Sequence, residues 1–498
     1  MKSSDQRTSA NYLSADALTY EQVSAVGVAY SRRRFLHECR VGLGKIALAG
    51  LLTEAWSTRS GGVATAATTA RSTVTPSHFP GKAKRVIQLF MGGGPSQLEL
   101  FDNRPELTKW EGQSLPASVL GDQRFAFIKP TAAVLGPQLR FARHGAAGTE
   151  LSEALPHLAR VVDDICVVKS MHTDQFNHAP AQIMFQTGFG QPGRPSLGSW
   201  VHYGLGTESR DLPAYVVLIS SKVTSGGSSL WSSGFIPTVY SGVRFRPQKD
   251  PILHVSNPPG VTDRLQQDTY QLLGALNRGQ SEQLGDPEIA TRISQYEMAA
   301  RLQSSAPELM DLKNETATTL AHYGCDPDQP SFARNCLLAR RMMERGVRFV
   351  SLMHENWDHH GSVVSGVRDA CKDTDQATAA LLEDLKQRGL LEDTLVIWGG
   401  EFGRTPMVEV RGKDPGRDHH PQAFSIWLAG GGIRPGATIG QTDDFGFRAV
   451  ENPVHVYDIQ ATILHCLGLD HERLTYFHAG RDFRLTDVHG RIVREILS

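Results

Sequence analysis

The stretch Thr394–Pro421, TLVIWGGEFGRTPMVEVRGKDPGRDHHP, decides how the chain is read. Leu395, Val396, Ile397 and Trp398 form a short apolar run of the kind that suits a strand buried on both faces, and Gly399 and Gly400 end it. Glu401 and Arg404 follow at once, and Asp418, His419 and His420 come shortly after. A carboxylate, a guanidinium and imidazoles are thus expected on loops leaving one strand end, which in an open α/β sheet is the edge where ligands bind.

The chain has 498 residues, 40% of them hydrophobic, enough for a large core. Lysine and arginine total 51 against 52 aspartate and glutamate, so no general positive field draws nucleic acid, and none is expected as a partner. Ser31-Arg32-Arg33-Arg34-Phe35-Leu36, the apolar run Val41 to Leu52 and the small-residue region Gly61 to Ala70 resemble a twin-arginine export signal over residues 1–66. The apolar run is short and carries Lys45, so no stable membrane span is expected. This reading implies the twin-arginine export machinery as a partner and a periplasmic or secreted destination. Residues 80–498 then form the functional domain, with a loop insertion at about 221–320. The five cysteines beyond the signal, Cys166, Cys325, Cys336, Cys371 and Cys466, contain no CxxC pair, which argues against a thiolate zinc site.

Other polar segments sit at the ends of predicted strands. Lys84 to Met91 reads as a first core strand, broken by Gly92-Gly93-Gly94-Pro95 and followed by Glu99 and Asp102. Ile165 to Met171 reads as another, after which Asn177 and His178 precede a helix over Ala181 to Thr187, where free amides and the helix dipole favour an anion. Val347 to Leu352 leads into Met353-His354-Glu355-Asn356-Trp357-Asp358-His359-His360-Gly361. Aspartate and histidine so close together on a loop are able to share a divalent ion, since carboxylate oxygen and imidazole nitrogen are standard ligands for zinc and its neighbours. Helices are expected over Leu155 to Asp164, Ser331 to Gly346, Thr374 to Arg388 and Val456 to Leu467, and a strand over Ala423 to Leu428. The charges of Ala479 to Val488 read as surface pairs.

Several separated motifs carry a resemblance over roughly Lys84 to the C-terminus. They are Phe90-Met91-Gly92-Gly93-Gly94-Pro95-Ser96-Gln97, Asn177-His178-Ala179-Pro180-Ala181 through Thr187-Gly188, Asn356-Trp357-Asp358-His359-His360, Gly400-Glu401-Phe402-Gly403-Arg404-Thr405-Pro406, Gly416-Arg417-Asp418-His419-His420-Pro421 and Ala479-Gly480-Arg481-Asp482-Phe483. In these the chain resembles the secreted, sulfatase-like proteins grouped as domain of unknown function 1501, within the alkaline phosphatase superfamily. The resemblance implies an α/β, three-layer sandwich with a mostly parallel central sheet. It places His178 where superfamily enzymes carry their nucleophile, and Gln182 where sulfatases carry an arginine. Glu401 falls at the aspartate of an Asp-His metal pair and Phe402 at its histidine. Asp358 and His360 match the other Asp/His ligand group, and His419 or His420 the late histidine. The first strand offers Gly92 and Gly93 in place of an aspartate, leaving Glu99 or Asp102 from the next turn as substitutes.

The expected function is hydrolysis of a phosphate or sulfate ester outside the cytoplasm, on an anionic substrate such as a phosphoester or a sulfated polysaccharide. The expected cofactor is a divalent ion, zinc first and calcium, manganese or magnesium after it, held by Asp358, His360, Glu401 and His419. Arg404 is expected to clamp the anion, and His178 beside Asn177 to act as nucleophile, general base or further ligand. The alternative is a binding or surface-associated protein that keeps the fold without turnover.

Overall fold

The structure, a computed structural model, describes residues 75–498 apart from 223, 247–256, 258–259, 285–286 and 411–413. The proposed export signal lies outside the described residues. The labelled strands are β1 (Arg85–Gly92), β2 (Phe141–His144), β3 (Thr149–Ser152), β4 (Ile165–His172), β5 (Tyr215–Ile219), β6 (Val243–Phe245), β7 (Phe349–Glu355), β8 (Thr394–Gly399), β9 (Gly403–Val410), β10 (Pro415–His420), β11 (Phe424–Ala429) and β12 (Thr438–Ile439). The helices used below are α1 (His178–Thr187), α2 (Leu197–Leu205), α3 (Asp263–Leu284), α4 (Pro287–Met310), α5 (Phe332–Glu344), α6 (Val363–Gln387) and α7 (Val456–Cys466).

A nine-stranded sheet runs in the order β12-β4-β11-β8-β1-β7-β5-β6, with the two-residue strand Val454–His455 also on β4. β8, β1, β7, β5 and β6 pair in parallel, and β12 is parallel to β4. β11 runs antiparallel to both β4 and β8. The central strands are buried along their length, which is why they read as continuous apolar runs and not as alternation.

Alternation still sorts the side chains into two cores. Ile87, Leu89, Met91, Val350 and Leu352 pack with Leu337 and Met342 of α5 and Val367 and Leu381 of α6. Val86, Phe90, Val217, Phe349 and Met353 pack with Ile183 of α1, Trp200 of α2 and Ile463 of α7 on the opposite face. The protein is therefore a three-layer α/β sandwich with a mostly parallel sheet. Each fully buried aliphatic side chain in those layers contributes about 1.5–3 kcal/mol relative to exposure. Local signals agree with the packing: the Ser331 hydroxyl accepts the Arg334 amide at the start of α5, and His455 and Asp458 form a capping box on α7.

Three differences from the sequence reading bear on function. β7 continues through Met353, His354 and Glu355, so the polar loop begins only at Asn356. α6 begins at Val363, well before the expected Thr374. Most consequentially, Arg404 and Asp418 to His420 lie not on loops but on an antiparallel hairpin, β9 and β10, in which His419 faces Arg404. Its polar residues are among the most deeply buried in the protein: Arg404 is 1% exposed, and Arg417, Asp418 and His420 are 0%.

Candidate metal centre and its surroundings

Because β1, β4, β7 and β8 point the same way, their C-terminal ends share one edge of the sheet. At the tip of β1, Gly93 adopts φ +112, and a Cβ there would come within 2.7 Å of the Asp358 amide nitrogen. Glycine is thus required for the 356–358 loop to lie across the strand end. Asn356 and Trp357 both donate their amides to the Gly92 carbonyl. Trp357, 0% exposed and edge-on to Trp398 at 5.8 Å, anchors the loop in the core. The next residue, Asp358, is thereby held at the edge with its side chain 40% exposed.

Four side chains from three parts of the chain meet at Asp358 Oδ1. His178 Nε2 lies 3.2 Å away, His360 Nε2 2.9 Å, His419 Nε2 3.4 Å and Arg404 Nη2 2.7 Å. His178, Asp358, His360 and His419 each offer one ligand atom, and these atoms lie within 4.8 Å of one another. The opposite nitrogen of every ring has its own acceptor. His178 Nδ1 is 2.7 Å from Glu401, His360 Nδ1 is 2.5 Å from Glu409, and His419 Nδ1 is 2.9 Å from the Phe176 carbonyl. Because Nδ1 of each ring has its own acceptor, each Nε2 would be left to offer its lone pair to a cation once the proton it shares with Asp358 leaves, the arrangement that fixes tautomer and ring orientation in metal sites. Three imidazole nitrogens and one carboxylate oxygen are a donor set that fits a divalent ion such as zinc.

The electrostatics agree. Burial opposes the charge on Asp358, yet hydrogen bonds from His178, His360 and His419 and the Arg404 charge hold its carboxyl far below the usual carboxylate range. Burial likewise works against a charged His178, but its hydrogen bonds to Asp358 and Glu401 outweigh that and raise it to about 9. His419 is shifted down, chiefly by burial.

The remaining predicted residues fall in other places. Glu401 is fully buried one step behind the cluster, where it accepts the Gly93 amide at 3.0 Å, Gln182 Nε2 at 3.1 Å and His178 Nδ1. It orients His178 and does not join the converging atoms. Arg404 requires a correction as an anion clamp: Nε donates to the Gly94 carbonyl, Nη1 to that of Arg417 and Nη2 to that of Gly93, so its fork ties the site's backbone together. Glu99 and Asp102 are not ligands of this cluster. Glu99 pairs with Arg417 through Nε and Nη2 at 2.9 and 2.7 Å, and Asp102 accepts Thr442 Oγ1 at 2.5 Å and pairs with Arg104. His420 faces away and donates through Nε2 to the Phe447 carbonyl, with burial pushing it down to about 4. Asn177 is the exposed N-cap of α1, its side chain making no capping hydrogen bond.

Sequence reasoning gave no role to Glu409, Glu355 or Phe127, and named Gln182 only as the residue at the place of the sulfatase arginine, where it donates to Glu401. The one signal for Glu409 was a lone carboxylate in the apolar run Met407-Val408-Glu409-Val410, which marks a polar contact without saying to what. Glu355, at the end of β7, is raised to about 7 by burial and by the neighbouring Glu401 charge. Phe127 stands edge-on to His360 and His419 at 5.1 and 5.5 Å between ring centres. A second acidic group, His360 with Glu409 and Asp418, is already satisfied: Asp418 accepts the amides of Phe127, Ile128 and His419. Among the described residues, no helix is long and apolar enough to cross a membrane.

Comparison with known proteins adds three findings. A family model described as "Protein of unknown function (DUF1501)" matches residues 83–497. No curated protein matches the chain in sequence. Among solved structures, the lipoteichoic acid synthase LtaP from Listeria monocytogenes is similar at 10% identity and TM-score 0.35, covering 86% of this chain and 80% of its own. The sulfatase PsFucS1 from Pseudoalteromonas sp. stands at 14% and 0.35, covering 78% and 68%. The alkaline phosphatase from the Antarctic bacterium TAB5 stands at 11% and 0.31, covering 78% and 98%. Likenesses this distant fix neither substrate nor residue roles.

Proposed function

Because the chain belongs to the DUF1501 family, whose activity its description leaves open, we propose a function from the site itself: metal-dependent hydrolysis of a phosphate or sulfate ester. The observation that carries this reading is the convergence of three Nε2 atoms on Asp358, each ring held from behind. His178, His360, His419 and Asp358 would hold one divalent ion, zinc by the chemistry of the donors. When bound, such an ion supplies a Lewis acid that polarises an ester oxygen and lowers the pKa of water from about 15.7 towards 7.

The chain's own groups do the rest. The open N-terminus of α1 and the uncommitted Asn177 amide favour the substrate's anionic oxygens. Glu401 and Glu409 hold His178 and His360 as acceptors, and Arg404 keeps the β1 tip, the Asp358 loop and β10 in register. The exposed flank of Asp358 leaves one side open for the ester. The twin-arginine-like N-terminal stretch supports export to the periplasm or beyond as part of this proposal.

One observation favours the non-catalytic reading: the guanidinium expected to grip substrate is engaged by backbone carbonyls. The readings separate in one experiment. Protein stripped with a chelator and reloaded with zinc is assayed on aryl phosphates and aryl sulfates across pH. Hydrolysis that disappears on stripping and returns on reloading supports the hydrolase; a zinc-loaded protein inert on both series would leave binding without turnover.

A further inference from the structure

The side of the site beyond Phe127 is built in a way that metal binding alone does not require. Phe127 is 57% exposed, although its ring packs at right angles to His360 and His419. Its position is not left to a mobile loop, because Asp418 Oδ2, from a residue 0% exposed, accepts the amides of Phe127 at 2.8 Å and of Ile128 at 3.1 Å. The same Asp418 is covalently next to His419, so the residue that precedes a metal-site imidazole also fixes the aromatic rim.

Outward from Phe127 runs an open groove of about 460 Å³ that mixes apolar side chains, Phe127, Ile128, Ala132, Val408 and Val410, with the polar Lys129 and Thr131. Val410 is 69% exposed. The groove reaches the metal site through Glu409, which lines it and also holds His360 Nδ1. A single exposed apolar side chain needs no explanation, but a pinned aromatic ring that touches two candidate ligand imidazoles and continues into further exposed apolar side chains is a surface for a ring.

We propose that this groove is the subsite for the alcohol part of the substrate and that Phe127 is its platform, so the site prefers esters of ring-bearing, aromatic alcohols over esters of small aliphatic ones. The proposal rests on the ester-hydrolase reading for the anionic end of the ligand. The side chains of Ile128, Val408 and Val410 flank the ring, and the offset or edge-to-face contact with Phe127 adds a directional preference over plain burial.

The test uses non-hydrolysable anions on the zinc-loaded full chain, with zinc content measured in the same samples. Phenylphosphonate should bind about tenfold more tightly than methylphosphonate by calorimetry, in keeping with one well-placed aromatic contact. Phe127→Ala should abolish that gap, read as the ratio of the two affinities in samples matched for zinc content, and Phe127→Trp should preserve it. Equal affinities in the wild-type protein, or a gap indifferent to Phe127→Ala, overturn the subsite and leave the metal-centre reading standing. A protein that holds no zinc and binds neither anion overturns both.

Discussion

At the scale of single residues, the centre is organised from behind. Each imidazole that could face a cation is gripped at Nδ1 by an oxygen from a different element: Glu401 after β8, Glu409 on β9 and the Phe176 carbonyl before α1. Such partners set ring orientation and basicity, and their loss typically weakens metal affinity by about 10–100-fold. Glu409→Gln should therefore weaken zinc binding on that scale in competition titrations against a chromophoric chelator, without altering the folded spectrum. An unchanged affinity would mean that Glu409 only packs against His360. Asp358, His360 and His419 were visible in the sequence as metal-ligand types, and His178 as a residue at a helix start. Their second partners were not, because Glu401 and Glu409 look identical to ligands until distance separates the oxygen that faces the cluster from the one that faces an N–H.

At the scale of elements, the β9–β10 hairpin explains most of what was misread. Its polar residues suggest an exposed loop, yet Arg417 and Glu99 are both 0% exposed and joined by a buried, two-pronged ion pair. That pair ties β10 to the turn after β1. Removing one partner from such a pair usually costs about 3–5 kcal/mol, because the other charge is left buried and uncompensated. Glu99→Ala should destabilise the protein by that amount in denaturant unfolding, while the fraction still folded keeps its metal stoichiometry. Loss of metal from well-folded Glu99→Ala protein would return Glu99 to the ligand set. Strands with apolar runs, such as β1 and β8, were legible within a residue or two because burial on both faces leaves a clear pattern, whereas β7 runs three residues past its expected end into the polar His354 and Glu355. The hairpin was not, because its burial is satisfied by the Arg417–Glu99 pair and by Arg404 on the Gly93 and Gly94 carbonyls, contacts across hundreds of positions that local pattern does not carry.

At the scale of the whole molecule, the sandwich buries neutral histidines whose protonation the fold resists. His202 on α2 is pushed down to about 4, first by burial and then by the Arg348 charge, against an ordinary value of 6.5. A histidine with a lowered folded pKa contributes stability above 6.5 that disappears as pH falls towards 4, since the unfolded chain takes up the proton and the folded one does not. His202 alone accounts for up to about 3 kcal/mol between pH 7 and pH 4. Unfolding free energies measured over that range should fall with acid, and His202→Gln should flatten the slope; a slope equal to that of the wild type would show that His202 titrates normally. The layer order and the functional edge of the sheet followed from the sequence pattern and the motif resemblance together, whereas the crossing of Asp358 over the β1 tip depended on a close backbone approach at Gly93.

The most direct test is to locate the ion. Crystals of the zinc-loaded protein, with anomalous scattering recorded on both sides of the zinc edge, should show one peak per chain bonded to Nε2 of His178, His360 and His419 and to Asp358, at about 2.0–2.2 Å. No peak there in protein shown by elemental analysis to carry zinc, or a peak beside Glu99 or Asp102 instead, would contradict the account.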